Sequence, residues 1–203
     1  MKNAIVIFMG LLLLLFVTVS QGFPGEVRSK NFTQGEIKVM KESKAIIHTD
    51  FGDITLRFFP KLAPNHVNSF MELAKKGFYD GTIFHRVIPG FVIQGGDPNS
   101  KSHEKARHGT GGPGYRLKAE FNFKRHKRGA LSMARSSHAD SAGSQFFICV
   151  ANVPSLDEKY TVFGEVTKGM EVVDKIVSLP RDGRDNPLKR VEIKVEIVGP
   201  KGG

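Results

Sequence analysis

The chain has 203 residues, of which 40% are hydrophobic and 25% are charged, with a single cysteine and a formal net charge of +10. A chain of this length and composition can form one domain with a sizeable core, and it is not a disordered polymer. The single cysteine excludes an internal disulfide framework and a cysteine-rich zinc site. The excess of Lys and Arg leaves nucleic acid, an anionic membrane or an acidic protein as candidate partners.

The first 22 residues have the layout of a secretory signal peptide. One lysine precedes an apolar run over residues 4–17, and the small or polar residues Ser20 and Gly22 follow it. The alternative is an uncleaved membrane anchor, but a full span needs about 20 apolar residues and Thr18 interrupts this run. We therefore predict cleavage near residues 20–22 and export, to the periplasm or cell envelope in a bacterium and to the secretory pathway in a eukaryote.

Residues 23–42 are mostly polar, and we predict that they form a flexible lead-in to a domain over residues 43–200. They contain the sequon Asn31-Phe32-Thr33, which matters only in a source that has the glycosylation machinery.

The domain itself shows mostly strand patterns. Residues 45–49 and 53–59 flank a turn and predict a hairpin. Helices are predicted from Pro64 to Gly77 and from about Met170 to Leu179, before Pro180. Further strands are predicted over residues 82–87, 91–94, 130–133, 145–150, 161–166 and 191–197. Since no repeating βαβ alternation is present, we expect a mainly β fold, a closed eight-stranded antiparallel barrel capped by two α-helices.

Two apparent ligand-binding motifs lack the neighbouring residues that such binding requires. Residues 109–114 match the glycine fingerprint of dinucleotide-binding loops, but a polar loop precedes them instead of a strand, and Pro113 removes an N–H that would bind phosphate. Three histidines, His103, His108 and His126, lie in a basic stretch without a carboxylate pair. We therefore predict no cofactor and no metal.

The positive charge is concentrated in residues 101–128, which hold nine Lys or Arg and two Glu. The run at residues 124–128 is typical of a nuclear signal or a nucleic-acid patch, but the export signal argues against the nucleus. We expect a solvated loop rim without a specific nucleic-acid partner, and a polyanion-binding surface is the alternative.

One constellation carries chemistry. Residues 84–97 combine a cation, an amide and aromatic side chains at strand-like spacing, and residues 140–148 supply a second Gln and a second aromatic pair. In extended chain, Phe84 and Arg86 would point to one face. We therefore expect Arg86 on the side to which Gln94 returns after the intervening turn.

These two segments, in this order, resemble the cyclophilin family of peptidyl-prolyl cis–trans isomerases. The resemblance runs from about Lys44 to Gly199 and includes residues 77–82 and 161–164, while residues 133–136 look most like the bacterial branch. It implies the capped eight-stranded barrel, isomerisation of Xaa-Pro bonds in proline-containing polypeptide clients, assistance to protein folding, and a monomer. A proline-binding chaperone or surface module without turnover is the alternative function.

The resemblance also assigns site residues. Arg86 matches the catalytic arginine, Gln94 matches the glutamine that binds the substrate backbone and orients that arginine, and Phe91 lies in the wall of the proline pocket. The remaining positions match substrate-binding residues of the pocket and the groove beside it: Val92, Ala134, Arg135, Gln145, Phe147, Leu156 and Tyr160.

Three positions depart from the family pattern. Val92 replaces a common Met, and Tyr160 stands where eukaryotic relatives have His. Ser155 stands where cyclosporin-sensitive members have Trp, so we predict that cyclosporin binds weakly.

Overall fold

The computed structural model describes residues 25–200. The predicted signal peptide lies outside these residues. Within them, no helix combines the length and the apolar character that a membrane crossing requires.

The described chain is mainly β. Nine strands form one antiparallel sheet, in the spatial order β4-β11-β2-β3-β10-β8-β9-β6-β5, and two short strands, β1 and β7, pair in parallel outside it. The strands are β1 (Val27–Arg28), β2 (Lys44–Thr49), β3 (Gly52–Phe58), β4 (Thr82–Ile83), β5 (Arg86–Ile88), β6 (Val92–Gly95), β7 (Arg116–Leu117), β8 (Ala130–Met133), β9 (Phe146–Cys149), β10 (Val162–Lys168) and β11 (Glu192–Val198). The helices are α1 (Gln34–Glu42), α2 (Pro64–Lys75) and α3 (Met170–Val177).

The sheet curls around the core as a half-barrel. Its two edge strands, β4 and β5, are separated in the chain only by Phe84 and His85, and the strand ladders of the described residues do not join them. The mainly β, antiparallel class is confirmed, but the closed eight-stranded barrel is not, because the main sheet has nine strands and its ladder stays open.

The spacing of apolar residues determines which faces of the strands and of the two predicted helices are buried. In β11, Ile193 and Val195 are buried while the residues between them face solvent, which is the period-2 pattern of a sheet with one wet face. In α2, Phe70 enters the core, where its ring centroid lies 5.4 Å from that of Phe146 and 5.5 Å from that of Phe163. The site described below therefore stands on a packed aromatic core.

The flexible lead-in expected over residues 23–42 is instead structured from residue 25 onward. It contains β1 and α1. Thr33 and Glu36 form a capping box, in which the Glu36 N–H donates to Thr33 Oγ1 at 3.2 Å and the Thr33 N–H donates to the Glu36 carboxylate at 2.7 Å. The polar composition hid this helix, since Met40 is its one fully buried side chain.

Candidate active site

A hairpin of β5 and β6 places the predicted cation opposite the predicted amide. Arg86 pairs with Gln94 and Ile88 pairs with Val92 in the antiparallel register. The turn between them needs a backbone conformation that favours glycine, and Gly90 supplies it with φ 73°. The Phe91 N–H closes the turn by donating to the carbonyl of Ile88 at 3.0 Å.

Nine of the ten predicted site residues line a single cavity of about 110 Å³, which we call the proline cavity after the ring that the resemblance implies for it. They come from β5, β6 and β9, from the chain after β8 and from the segment after β9: Arg86, Phe91, Val92, Gln94, Ala134, Arg135, Phe147, Leu156 and Tyr160. Two aromatic rings meet edge to face in its wall, with the centroids of Phe147 and Tyr160 5.8 Å apart. The cavity thus combines apolar walls with the half-exposed guanidinium of Arg86.

Arg86 faces outward, but the cause is not the strand alternation that we expected. A single strand over residues 82–87 would place Phe84 and Arg86 on one face, but Phe84 is fully buried in the core together with Val87. The strand is broken at Phe84 and His85, and this break turns Arg86 outward.

His85 lies buried beside the cation, and within the part of the chain that the structure describes neither of its ring nitrogens has a hydrogen-bond partner. Burial lowers the pKa of His85 to about 4, so the ring is neutral at pH 7 and adds no charge next to Arg86.

The side-chain hydrogen bond expected from Gln94 to Arg86 is absent from the described residues. Gln94 Nε2 donates instead to Gln145 Oε1 at 3.0 Å. The charged neighbour of Arg86 is Asp185, whose Oδ2 lies 3.8 Å from Arg86 Nε. Asp185 was not among the predicted residues, because it lies in the loop between α3 and β11, where no periodic pattern marks it.

The Asp185 loop is anchored directly to β5. The Val87 N–H donates to the Asp185 carbonyl at 2.8 Å, and Asp185 has a positive φ of 61°, which is uncommon for a non-glycine residue. Arg181 Nε donates to the other carboxylate oxygen at 3.2 Å. The carboxylate is therefore held beside Arg86 by contacts on both sides.

A buried polar network supports the wall of the proline cavity from behind. The ring of His126 stacks on Phe147, with centroids 6.0 Å apart and an interplanar angle of 20°. Its Nδ1 lies 3.0 Å from Asp157 Oδ1 and its Nε2 lies 3.1 Å from Ser132 Oγ. Burial lowers the pKa of His126, and Ser132 Oγ itself donates to the Thr161 carbonyl at 2.9 Å.

A second cavity of about 460 Å³ adjoins the first, and we call it the adjoining cavity. It shares Gln94, Ala134 and Arg135 with the proline cavity and is enclosed by residues 109–116, 136, 141 and 143–145. The tenth predicted residue, Gln145, lies here.

The glycine motif at residues 109–114 is thus the wall of this adjoining cavity. Its Gly111 has a packing reason, because a Cβ there would lie 2.2 Å from Asp97 Oδ1. That oxygen accepts from the N–H groups of Asn99, at 2.8 Å, and Gly111, at 3.0 Å. Gln145 Nε2 donates to the Gly111 carbonyl at 2.9 Å, so the loop is held from both sides.

Across residues 25–200, no three His, Cys, Asp or Glu side chains are grouped so that they could hold a metal ion.

Comparison with known proteins places these features in a family. A family model described as cyclophilin type peptidyl-prolyl cis-trans isomerase/CLD matches residues 44–197. A peptidyl-prolyl cis-trans isomerase of Helicobacter pylori is 47% identical over 151 residues, which cover 72% of this chain and 88% of the relative. One of Synechococcus elongatus is 45% identical over 141 residues, covering 70% and 90%.

Solved structures agree. A cyclophilin type peptidyl-prolyl cis-trans isomerase of Cryptosporidium parvum superposes with a TM-score of 0.71 at 32% identity, over 79% of this chain and 99% of that one. Its crystal structure in the presence of the dipeptide Ala-Pro superposes with a TM-score of 0.70 at 33% identity, over 78% and 99%. With the family model, the curated relatives and the fold in agreement, the chain belongs to the cyclophilin-type peptidyl-prolyl cis-trans isomerases.

Proposed function

We propose that this peptidyl-prolyl isomerase acts on exported polypeptides and assists their folding, with Arg86 as its catalytic residue. The observation that carries the assignment of Arg86 is the convergence of nine side chains on the proline cavity. The cation stands at the edge of an apolar wall, where a proline ring and its preceding peptide bond fit together.

The reaction needs electrostatic stabilisation and no bond cleavage. Rotation about the Xaa-Pro bond removes amide resonance, against a barrier of about 18–20 kcal/mol. As the bond twists, the prolyl nitrogen becomes pyramidal and gains a lone pair. A guanidinium N–H of Arg86 donates to that lone pair only in the twisted state, so this interaction selectively stabilises the transition state.

The other side chains hold the client chain. Phe91, Phe147 and Leu156 enclose the proline ring and exclude water. Gln94 donates its amide N–H to Gln145, which leaves its carbonyl oxygen to accept from the backbone of the client. Asp185 restrains the guanidinium of Arg86, because its Oδ2 lies 3.8 Å from Arg86 Nε.

The test of Arg86 is an NMR exchange measurement on a short Xaa-Pro peptide. Arg86→Ala is expected to lower kcat/KM about 100-fold, the loss typical of removing one preorganised donor. Arg57→Ala is the matched control, since this arginine lies on β3 and pairs with Glu165. Equal rates for Arg86→Ala and the wild type would contradict the assignment of Arg86 and would favour a proline-binding module.

The proposal that the protein is exported depends on residues 1–22, the predicted signal peptide. N-terminal sequencing of the native protein from each cell fraction is expected to find a chain that begins between residues 21 and 23, outside the cytoplasm. An intact Met1 in the membrane fraction would support the anchor instead, and an intact Met1 in the cytosol would contradict export.

The basic stretch is proposed to be a solvated rim without a specific nucleic-acid partner. Three of its cations face carboxylates on separate parts of the fold: Lys105 with Asp182 at 3.1 Å, Arg125 with Asp157 at 3.3 Å and Arg128 with Asp174 at 2.7 Å. Tight heparin or nucleic-acid binding with the steep salt dependence of phosphate contacts would contradict this proposal.

Weak cyclosporin binding and a monomeric state are also proposed. Ser155 is exposed in the turn at Pro154–Leu156, next to the cavity-lining Leu156, so no indole extends the wall there. Ser155→Trp is expected to tighten cyclosporin binding, measured by calorimetry, and an unchanged Kd would contradict this reason. Light scattering at the mass of one chain is the expected result for the monomer, and a dimer mass would contradict it.

A further inference from the structure

The adjoining cavity contains cations and, among the residues described, no carboxylate. Arg116 and Arg135 both line it, and the other lining residues are glycines and polar or small side chains. A concave surface with charges of one sign concentrates the field and attracts groups of the opposite sign. The adjoining cavity therefore favours a negatively charged side chain.

Arg135 is held in place without an acidic partner. Its Nε donates to the Lys159 carbonyl at 2.9 Å, and its Nη1 donates to the carbonyls of Ser136, at 2.9 Å, and Ser137, at 3.1 Å. Its guanidinium carbon lies 4.6 Å from the centroid of the Tyr160 ring. Within residues 25–200, no Asp or Glu oxygen comes within the 4.0 Å of an ion pair, so its charge is fixed but not neutralised.

Arg116 is arranged in the same way on the other side of the adjoining cavity. Its Nε and Nη2 donate to the Gly25 carbonyl at 3.2 and 3.0 Å. The carboxylates close to this region have other partners, and Glu26 Oε2 lies 3.8 Å from Arg28 Nε. Asp97 accepts from the N–H of Gly111, and Asp140 accepts from the N–H of Ala119 at 2.8 Å.

We propose that the adjoining cavity selects clients that carry an acidic side chain near the proline, through an ion pair with Arg135. The proposal rests on the proposed function, because the proline must occupy the proline cavity. Arg135 lines both cavities, so a client whose proline fills the first places a flanking side chain near its guanidinium. Because Arg135 is already immobilised, forming the ion pair costs little side-chain entropy.

The experiment uses peptides of one sequence around a single Xaa-Pro bond, with Gln at every position from three before to three after the proline. Glu replaces Gln at one position at a time, and NMR exchange gives kcat/KM for each peptide. At one or more positions, the Glu peptide is expected to exceed the Gln peptide about fivefold at low salt, the size of one partly exposed ion pair. Screening in 0.5 M NaCl is expected to reduce the ratio towards one.

Two kinds of variant connect the preference to the adjoining cavity. Arg135→Gln is expected to bring the Glu-to-Gln ratio to about one. Because Arg135 also binds three carbonyls, Gly112 offers a second route: a Cβ there meets no atom within 4 Å, and its φ is outside the left-handed region. Gly112→Asp adds a competing carboxylate and is expected to abolish the preference, whereas the isosteric Gly112→Asn keeps it.

A charge-removal control is Lys175→Gln, an exposed position in the last turn of α3, for which the ratio is expected to stay at its wild-type value. A ratio of one at every position in the wild type would overturn the inference, as would a preference that survives in Arg135→Gln or in Gly112→Asp. Either result is distinct from failure of the proposed function, in which Arg86→Ala would isomerise the parent Gln peptide as fast as the wild type.

Discussion

The two neighbouring cavities of this isomerase are built from different parts of the chain. The proline cavity stands on paired strands and has apolar walls and a cation whose neighbour is an acid. The adjoining cavity is enclosed by a glycine-containing loop, has polar walls and holds cations that have no acidic partner among residues 25–200. This difference fits the two roles that we propose, catalysis in the first cavity, where geometry must be rigid, and discrimination between clients in the second.

Removal of an aromatic wall should have the largest effect on the proline cavity. Phe147→Ala deletes a buried ring that packs on both His126 and Tyr160. We expect the free energy of unfolding to fall by about 3–5 kcal/mol, as for other buried Phe truncations, and kcat/KM to fall more than tenfold. Denaturant unfolding and NMR exchange measure the two effects, with Phe147→Leu as a control that keeps most of the volume. A stable Phe147→Ala variant with full activity would contradict the role of this wall.

The adjoining cavity should be most sensitive to changes that loosen its loop, residues 109–114. Asp97 is fully buried and accepts backbone N–H groups from Asn99, Gly109 and Gly111. In Asp97→Asn one of these donors would face an amide N–H, so we expect a loss of about 1–3 kcal/mol in the free energy of unfolding. Amide hydrogen exchange should accelerate in residues 109–114 while β5 and β6 stay protected. Uniform exchange across both regions would show that the two cavities are not independent.

Removal of the ion pair beside Arg86 should have a smaller effect. Asp185→Asn removes the charge that lies 3.8 Å from Arg86 while retaining the size of the side chain and the carbonyl that binds Val87. We expect kcat to fall about fivefold with little change in KM, because a less restrained guanidinium binds the twisted bond less well. The exposed Asp174, which pairs with Arg128, provides the matched control as Asp174→Asn. A change confined to KM would assign Asp185 to client binding instead.

A change of pH between 6 and 9 is expected to have the smallest effect on kcat/KM. Arg86 stays charged throughout, and burial keeps the pKa of His85 at about 4, so kcat/KM should be flat in this range. Stability should fall on acidification from about 6.5, the ordinary pKa of His in the unfolded chain, to about 4, because the unfolded state binds the proton first.

The control for this acid sensitivity is His85→Leu. Since both ring nitrogens of His85 lack a partner, the apolar side chain should flatten the pH dependence of the free energy of unfolding. An unchanged dependence would mean that other groups, such as His126, cause the loss of stability.

Much of the fold could be predicted because it follows local periodicity. The β11 strand and helices α2 and α3 lie within a few residues of the expected bounds. The α1 helix was missed because its amphipathic face buries little, although the capping box of Thr33 and Glu36 was a signal available in the sequence. The open edge between β4 and β5 was missed because closure depends on how a whole sheet curls, which no local pattern encodes.

The amino-acid sequence by itself determined the chemistry of the proline cavity. Its residues lie in two stretches, 86–94 and 134–160, whose residue types match the family pattern, and Arg86 opposes Gln94 through a hairpin that Pro89 and Gly90 already indicate. Only the tertiary structure decided what surrounds that chemistry: Asp185 beside Arg86, the bond from Gln94 to Gln145, and the unpaired charge of Arg135. The physical reason is the separation of the interacting residues along the chain. Hairpins and turns are set by neighbouring residues. The balance of charge in a cavity is set by distant loops, which meet only when the sheet has curled.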